Sequence, residues 1–263
     1  MPTVEIRGAR VHYADSGTGP ATVLLLHAFP LNAGMWTEQI EALSPRYRVV
    51  APDGPGFGGS TLRPAPSAMQ SLASDALELL GRLGVGRASV VGLSMGGYVA
   101  FELFRQRPAL VRALVLCDTR PGADTADGAK GREAFAKQAI ENGLPWVADQ
   151  LLPKLLGPQA DAKVVSAVRA RIEAGTAVGV AAAQRGMAAR PDSTQTLSSI
   201  RCPTLVLVGA EDVLTPPAES RRMAAAIAGS RLVELPGVGH LSNLEAPAAF
   251  NDALLDFLAR LPS

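Results

Sequence analysis

The chain contains several runs of consecutive apolar, strand-forming residues. Thr22–Leu26 reads Thr-Val-Leu-Leu-Leu, and Ala88–Val91, Val111–Cys117 and Thr204–Val208 have a similar character. A strand that is buried on both faces has this composition, whereas a strand with one face in water alternates polar and apolar residues. These runs therefore predict a mostly parallel sheet that is covered by helices on both sides.

Segments with helical spacing lie between the strands. In Ala68–Leu83, apolar residues recur every three or four positions, and Gly84 and Gly86 then end the pattern. Further helices are predicted at Trp36–Leu43, Gly97–Gln106, Pro217–Ala228 and Glu245–Leu261, and further strands at Val4–Ile6, Arg10–Tyr13, Arg48–Ala51 and Arg231–Leu235. Eight strands that alternate with helices predict an α/β fold.

The alternation stops between residues 121 and 190. This stretch of 70 residues has helical patterns and no strand pattern, and Pro145, Pro153, Pro158 and Gly175 divide it into about four helices. We therefore predict an α/β core formed by residues 1–120 and 191–263, with residues 121–190 inserted as a helical cap over it.

Charge and cysteine usage exclude several classes of protein. The chain has 25 Lys and Arg against 24 Asp and Glu, with no basic block, so we expect no nucleic-acid partner. We also expect no membrane contact, because no apolar run reaches the ~18–20 residues that span a bilayer, and the first residues do not resemble a signal peptide. Cys117 and Cys202 are predicted to be reduced and buried, which favours the cytoplasm by elimination. The oligomeric state is left open, with a homodimer among the alternatives.

The most informative motif is G-x-S-x-G at Gly92-Leu93-Ser94-Met95-Gly96, between a predicted strand and a predicted helix. A serine on such a sharp turn is held clear of the sheet as a nucleophile, and the glycines let strand and helix approach each other. The N–H of Met95, at the start of the helix, is positioned to stabilise an oxyanion. The alternative is a glycine-rich helix start in which Ser94 serves only as the N-cap.

A serine nucleophile needs a base, and the chain offers three histidines. His240 is the candidate, because it lies in a glycine-rich loop after the last predicted strand, where open α/β sheets place functional groups. His27, at the end of a buried strand, is interpreted as a structural residue. Ser242 and Glu245 form an S-x-x-E pattern, which predicts a capping box just after the histidine.

The base needs a carboxylate that fixes its tautomer. Asp212 follows the strand Thr204–Val208, and the chain order Ser94, Asp212, His240 is the order of the α/β-hydrolase triad. Glu211 and Asp118 remain as competing candidates for this role.

A second oxyanion donor is expected in the loop His27-Ala28-Phe29-Pro30, which follows an early strand. Pro30 has no N–H, so Phe29 is the best candidate. Asp53 lies in a glycine-rich loop, but no nucleotide-binding motif and no second carboxylate accompany it, so we interpret it as part of a structural turn. We predict no metal and no cofactor.

With these residues in place, the chain resembles the α/β-hydrolase superfamily over nearly its full length. The resemblance is carried by the loops His27–Pro30 and Asp53–Ser60, the elbow Gly92–Gly96, and the segments Gly209–Asp212 and Gly237–His240. It implies a mostly parallel eight-stranded sheet with a helical cap inserted after strand 6. The pattern is most similar to capped carboxylesterases and 3-oxoadipate enol-lactonase-like hydrolases. Ala28 departs from the glycine common in this loop, and we expect it to narrow the oxyanion hole.

The resulting prediction is a cofactor-free serine hydrolase that cleaves small-molecule esters or lactones through an acyl-enzyme on Ser94. Phe29 and Met95 would supply the oxyanion hole, and Leu144 and Trp146 are candidates for the pocket lining. A serine at the elbow disfavours the related dehalogenases and epoxide hydrolases, which the resemblance associates with aspartate. The alternatives are an enol-lactonase proper, a C–C bond hydrolase or a perhydrolase with the same triad, and a ligand receptor that keeps the fold without turnover. Fold and triad do not name the substrate.

Overall fold

A computed structural model describes residues 2–63 and 67–262 of the chain. Its central feature is one sheet of eight strands. The strands are Thr3–Ile6 (β1), Ala9–Ser16 (β2), Thr22–Leu26 (β3), Arg48–Pro52 (β4), Ala88–Leu93 (β5), Val111–Cys117 (β6), Thr204–Gly209 (β7) and Arg231–Leu235 (β8). All eight predicted strands are confirmed, with small changes at their ends.

The strand order is β1-β2-β4-β3-β5-β6-β7-β8. The first two strands pair antiparallel with each other, β2 pairs antiparallel with β4, and every later pairing is parallel. Every residue of β3, β5 and β7 is buried. This burial is the physical reason for their uninterrupted apolar sequences, and it confirms the predicted α/β fold.

Helices cover the sheet. They are Thr37–Leu43 (α1), Met69–Arg82 (α2), Met95–Gln106 (α3), Ala126–Leu155 (α4), Ala162–Glu173 (α5), Ala177–Ala188 (α6), Thr194–Leu197 (α7), Pro217–Ala226 (α8), Ser242–Glu245 (α9) and Pro247–Ala259 (α10). α2 packs against α3, and α1 packs against α10. α3 starts directly after β5 and is buried over most of its length, so the strand–turn–helix unit around Ser94 is anchored in the core.

The segment between β6 and β7 is helical in the structure, as predicted. α4 is interrupted at Gly143, which has φ 76° and ψ −175°, whereas Pro153 lies inside its second half without breaking it. Pro145 follows in the first turn of that second half, where a missing N–H costs little. α4 packs extensively on α6 and also on α5. The division of the chain into a core and a cap at residues 121–190 stays a prediction.

Two further sequence expectations concern cysteines and membranes. Cys117 is buried as predicted, whereas Cys202 is only partly buried, and both are free thiols. Within residues 2–63 and 67–262, none of the helices has the length and apolar character needed to span a bilayer.

The parallel strands determine where functional groups meet. β3, β5, β6, β7 and β8 run in the same direction, so the loops at their carboxyl ends lie along one edge of the sheet. The residues after these strands include all of the predicted catalytic positions. This edge is the place where open α/β sheets bind their ligands.

Candidate active site

Ser94 lies on a strained turn between β5 and α3. Its φ of 55° and ψ of −111° are rare for a residue with a side chain. A Cβ on Gly92 would lie 2.3 Å from the carbonyl oxygen of Gly96, and a Cβ on Gly96 would lie 2.0 Å from that of Leu26. Only glycine therefore fits on either side of the serine. The Ser94 side chain caps no helix N–H, which removes the alternative interpretation of this residue as an N-cap.

Ser94, His240 and Asp212 form a continuous hydrogen-bonded chain. The Ser94 Oγ lies 2.8 Å from the His240 Nε2, and the His240 Nδ1 lies 2.8 Å from the Asp212 Oδ2. His240 and Asp212 are buried, while Ser94 is partly accessible. With the Nδ1 proton donated to the carboxylate, the Nε2 has its lone pair free to accept the serine proton. The structure thus brings together the three residues that the sequence grouped.

Asp212 is held by its own loop. Its Oδ1 accepts hydrogen bonds from the backbone N–H groups of Leu214 and Thr215, at 2.8 and 2.9 Å, and its Oδ2 accepts one from the Thr215 hydroxyl at 2.6 Å. Burial alone would raise the pKa of this carboxyl, but the hydrogen bonds from His240 and Thr215 outweigh it and the pKa is lowered. The carboxylate therefore stays ionised near neutral pH. Sequence reasoning missed Thr215, although its position three residues after the aspartate is a common turn spacing.

The competing acids are excluded by position. The side chain of Glu211 is exposed to solvent. Asp118 is fully buried, but its carboxylate accepts from the Gly209 N–H and from the Ser242 hydroxyl and makes no hydrogen bond with His240 in the described part of the chain. Burial and the nearby charge of Asp212 raise the pKa of Asp118 well above its usual range.

The predicted capping box at Ser242 and Glu245 is wrong. Ser242 is the first residue of α9 and its hydroxyl donates to Asp118, so it caps nothing. Glu245 instead accepts hydrogen bonds from the N–H of Gly239, at 3.1 Å, and from the N–H of Gly157, at 2.8 Å. This glutamate therefore connects the segment after α4 to the loop that carries His240.

In the loop after β3, one backbone N–H remains as the candidate oxyanion donor. The Ala28 N–H is bonded to the Met35 Sδ, and Pro30 has no N–H, which leaves the N–H of Phe29. Phe29 and Ser94 line the same cavity. Ala28 is buried and its φ is not positive, so the alanine fits this loop without backbone strain.

Two other residues at this edge of the sheet, His27 and Asp53, make hydrogen bonds with the backbone of neighbouring loops. The Nε2 of His27 accepts from the Gly54 N–H at 2.8 Å, and its Nδ1 donates to the Ala28 carbonyl at 3.0 Å, while burial lowers its pKa. Both ring nitrogens are thus occupied in the neutral form. Asp53 accepts from the N–H groups of Ala33 and Gly59, as a turn carboxylate does.

A cavity of about 500 Å³ opens above Ser94, between the core and the helices α4 and α6. Its apolar lining includes Phe29, Phe135 and Leu214. Leu144 and Trp146, the predicted lining residues, do not line this cavity. Trp146 instead packs against the Phe135 ring, with a centroid separation of 5.0 Å. Phe135 lies before the break in α4 at Gly143 and Trp146 lies after it, so the two halves of the helix contact each other here. Neither residue therefore lines this cavity, and their place in a substrate pocket stays a prediction.

The same cavity has a charged wall that sequence reasoning missed. Arg120, Arg132 and Lys154 line it, and Asp124 is the one acidic residue of the lining among residues 2–63 and 67–262. Asp124 lies before α4 and Arg132 lies in its first half, and only the fold places them in the same cavity as Ser94. No local pattern in the sequence marks them.

The comparisons with known proteins agree with this architecture. A family model described as alpha/beta hydrolase fold matches residues 21–247. The chain is 32% identical over 250 residues to a pimeloyl-[acyl-carrier protein] methyl ester esterase of Nitrosomonas europaea. The aligned region covers 92% of this chain and 97% of that protein.

Solved structures give the same result. A thermophilic esterase from Thermogutta terrifontis, determined with malate bound, superposes with a TM-score of 0.95 at 38% identity, covering 99% of this chain and 97% of that one. An enol-lactonase from Burkholderia xenovorans superposes with a TM-score of 0.91 at 30% identity. The superposition covers 98% of this chain and 100% of that one.

Proposed function

The chain belongs to the alpha/beta hydrolase family, and on that premise we propose that it is a serine hydrolase that cleaves carboxylic esters or lactones of small molecules. The observation that carries the proposal is the hydrogen-bonded chain Ser94–His240–Asp212, with 2.8 Å at each link, which opens into a cavity. Relatives that are esterases and an enol-lactonase support the ester and lactone substrates.

In the proposed acylation step, the His240 Nε2 removes the hydroxyl proton of Ser94 as the serine Oγ bonds to the substrate carbonyl carbon. The carbonyl oxygen becomes an oxyanion, and the N–H groups of Phe29 and Met95 donate to it. Protonated His240 is stabilised by the Asp212 carboxylate. It then gives its proton to the leaving alkoxy oxygen, the C–O bond breaks, and an acyl-enzyme remains.

Deacylation repeats the same steps with water. His240 takes a proton from the water molecule as its oxygen attacks the acyl carbon, and the second tetrahedral intermediate collapses when His240 returns the proton to the Ser94 Oγ. The products are a carboxylic acid and an alcohol. With a lactone, both groups remain in one molecule, so the same site opens the ring without any change in its chemistry.

The decisive experiment combines turnover with covalent labelling. We expect the wild-type enzyme to hydrolyse 4-nitrophenyl butyrate, and a fluorophosphonate to add one label per chain on the peptide that contains Ser94. Ser94→Ala should reduce kcat by at least 10³ and abolish the label, because only binding and the oxyanion donors remain. Ser74→Ala, which alters a partly exposed serine on α2, is the matched control and should keep full activity.

The outcomes separate the alternatives. If Ser94→Ala keeps more than a few per cent of the turnover, Ser94 is not the nucleophile. A burst of nitrophenol without further turnover would favour a ligand receptor over an enzyme. Comparing enol-lactones with open esters then tests the lactonase form of the proposal, and assays with a C–C bonded substrate and with hydrogen peroxide test the C–C hydrolase and the perhydrolase.

A further inference from the structure

We propose that the substrate of this site carries a carboxylate besides its scissile ester or lactone bond, and that Arg120, Arg132 and Lys154 bind that carboxylate. The inference rests on the proposed function, since it names the substrate class of the same cavity. Its basis is an excess of positive charge in the wall of that cavity.

The positive cluster is built around Asp124. Its Oδ1 accepts from Arg120, at 2.8 Å, and lies 2.9 Å from an amino group of Arg190, while its Oδ2 accepts from the Arg132 Nε. The Asp124 side chain is only 2% exposed, whereas the side chains of Arg120 and Arg132 are 35% and 21% exposed. The carboxylate is thus covered by its arginines, and it is the arginines that face the cavity.

The charges in this wall do not cancel. Asp124 is the only acidic side chain that lines the cavity in the described part of the chain, against Arg120, Arg132 and Lys154. Arg190, behind them, is buried and adds a further positive charge, with its guanidinium stacked 4.2 Å from the centre of the Tyr98 ring. Asp192, an acid outside this group, accepts from the backbone N–H groups of Ala123 and Thr194.

The arginines also keep unused hydrogen-bond donors. A guanidinium has five N–H donors. Arg132 uses its Nε on Asp124 and one amino group on Gln184. The Nε of Arg120 is buried and has no hydrogen-bond partner among residues 2–63 and 67–262. A second anion in the cavity would therefore match the positive charge of this wall and its spare guanidinium N–H donors.

The cluster lies close to the reaction centre. Tyr98, which carries the Arg190 guanidinium, is four residues after Ser94 on α3, which corresponds to roughly 6 Å along the helix axis. Both residues line the cavity. An anion bound at the arginines and a carbonyl held at Ser94 would therefore lie in the same cavity, so both groups can belong to one small substrate.

A carboxylate is the anion that this cluster favours. Asp124 shows that the arginine groups already hold a planar carboxylate, with the guanidinium groups of Arg120 and Arg190 at one oxygen and that of Arg132 at the other. Arginine forks match planar carboxylates, and their spare donors are arranged around this one. The near-neutral balance of the whole chain therefore conceals a locally positive pocket.

The test compares esters that differ in one group. Monoethyl glutarate and ethyl pentanoate have the same acyl length, with a carboxylate in place of a methyl group. 3-Butyryloxypropanoate and propyl butanoate are the corresponding pair for the alcohol side. Acid release is followed in a pH-stat. We expect kcat/KM to be at least tenfold higher for one of the anionic esters than for its neutral partner, because a hydrogen bond to a charged group contributes about this much.

Variants identify the groups responsible. Arg120→Gln and Lys154→Gln should each lower kcat/KM for the anionic ester about tenfold and change that for the neutral ester less than twofold. Lys154 is exposed, so its variant remains informative if Arg120→Gln disturbs the cluster around Asp124. Arg185→Gln is the matched control, because Arg185 also lies on the cap, on α6, but pairs with Glu133 away from the cavity. It should leave both rates unchanged.

A binding measurement is independent of catalysis. Glutarate titrated into Ser94→Ala should bind in a calorimeter, and the additional Arg120→Gln change should weaken it about tenfold. Inorganic phosphate serves as the comparison anion, and tighter binding of phosphate than of glutarate would overturn the assignment to a carboxylate. Equal rates on anionic and neutral esters, with variants that lower both alike, would overturn the inference while leaving the serine hydrolase intact. Failure of every ester would instead refute the proposed function.

Discussion

Replacing Asp212 with asparagine tests the geometry of the site most directly. The Asp212 Oδ1 accepts two backbone N–H bonds, from Leu214 and Thr215, so the asparagine carbonyl oxygen is expected to take this place. Its amide NH₂ then occupies the position 2.8 Å from the His240 Nδ1. Because the amide donates where the carboxylate accepted, the imidazole proton moves to the Nε2. That nitrogen faces the Ser94 Oγ and no longer has a lone pair for the serine proton.

The size of the effect follows from two losses. The base is held in the wrong tautomer, and the imidazolium that forms in the transition state loses its buried counter-charge. In serine proteases the equivalent change lowers kcat about 10⁴-fold, which corresponds to about 5.5 kcal/mol of transition-state stabilisation. Since His240 and Asp212 are only 2% and 3% exposed, water cannot replace the carboxylate, and we expect a loss of the same order.

The assay is steady-state hydrolysis of 4-nitrophenyl butyrate, with circular dichroism to verify the fold. KM should change little, because Asp212 does not touch the substrate. Glu211→Gln is the matched control: it is the adjacent acid, it is exposed, and it should retain wild-type kcat. If Asp212→Asn keeps more than a tenth of kcat, or if Glu211→Gln shows the large loss instead, the assignment of the catalytic acid is refuted.

Three further predictions concern the parts around the triad. Gly96→Ala should destabilise the protein by about 3 kcal/mol or more in urea unfolding, because the added Cβ would lie 2.0 Å from a backbone oxygen of β3. The control Gly81→Ala has open space around the added Cβ and should be neutral or slightly stabilising. Thr215→Val should lower kcat about tenfold through loss of the 2.6 Å hydrogen bond to the Asp212 Oδ2, and an unchanged kcat would show that this hydroxyl does not position the acid. Burial raises the pKa of Asp124, but the hydrogen bonds from its arginines lower it by a larger amount. The pKa is therefore about 2 in the folded protein, compared with 3.8 in the unfolded chain. Its contribution to stability, about 1–2 kcal/mol, is therefore complete above pH 4 and is lost as the pH falls toward 2, so the stability difference between the wild type and Asp124→Asn should shrink over that range.

The elements of the fold were predictable because their causes are local. β3, β5 and β7 are buried on both faces, and a strand in that position has an uninterrupted apolar sequence that can be recognised without a structure. The elbow at Ser94 was predictable for a similar reason, since the approach of β5 and α3 leaves no room for a Cβ on its flanking glycines. The predictions of the helix ends and of the break in α4 were less accurate. Gly143 and Pro145 lie close together in the sequence, and a proline is tolerated in a first helical turn, so the pattern does not show which of the two residues ends the helix.

Contacts between distant segments were not predictable. Ser242 and Glu245 have the spacing of a capping box, yet each finds a partner that is far away in the sequence, Asp118 for the serine and Gly157 for the glutamate. A capping pattern is a local preference, and a buried carboxylate or an unsatisfied N–H nearby overrides it. Leu144 and Trp146 were candidates for the pocket lining, but the sequence of a helix does not determine which of its faces turns toward a cavity.

By itself, the sequence predicted the sheet and the chain order Ser94, Asp212, His240, and it offered no competing motif for the turn at Ser94, because each of these depends on neighbours within a few residues. Only the tertiary structure decided that Asp212 rather than Glu211 or Asp118 contacts His240, since all three follow strands at the same edge. It also decided that Arg120, Arg132 and Lys154 line the same cavity as Ser94, with Arg120 and Arg132 paired to the buried Asp124 carboxylate. A net charge of +1 summed over the chain contains no information on this arrangement, because electrostatic interactions depend on distance and burial, and both arise only when distant segments of the chain pack together.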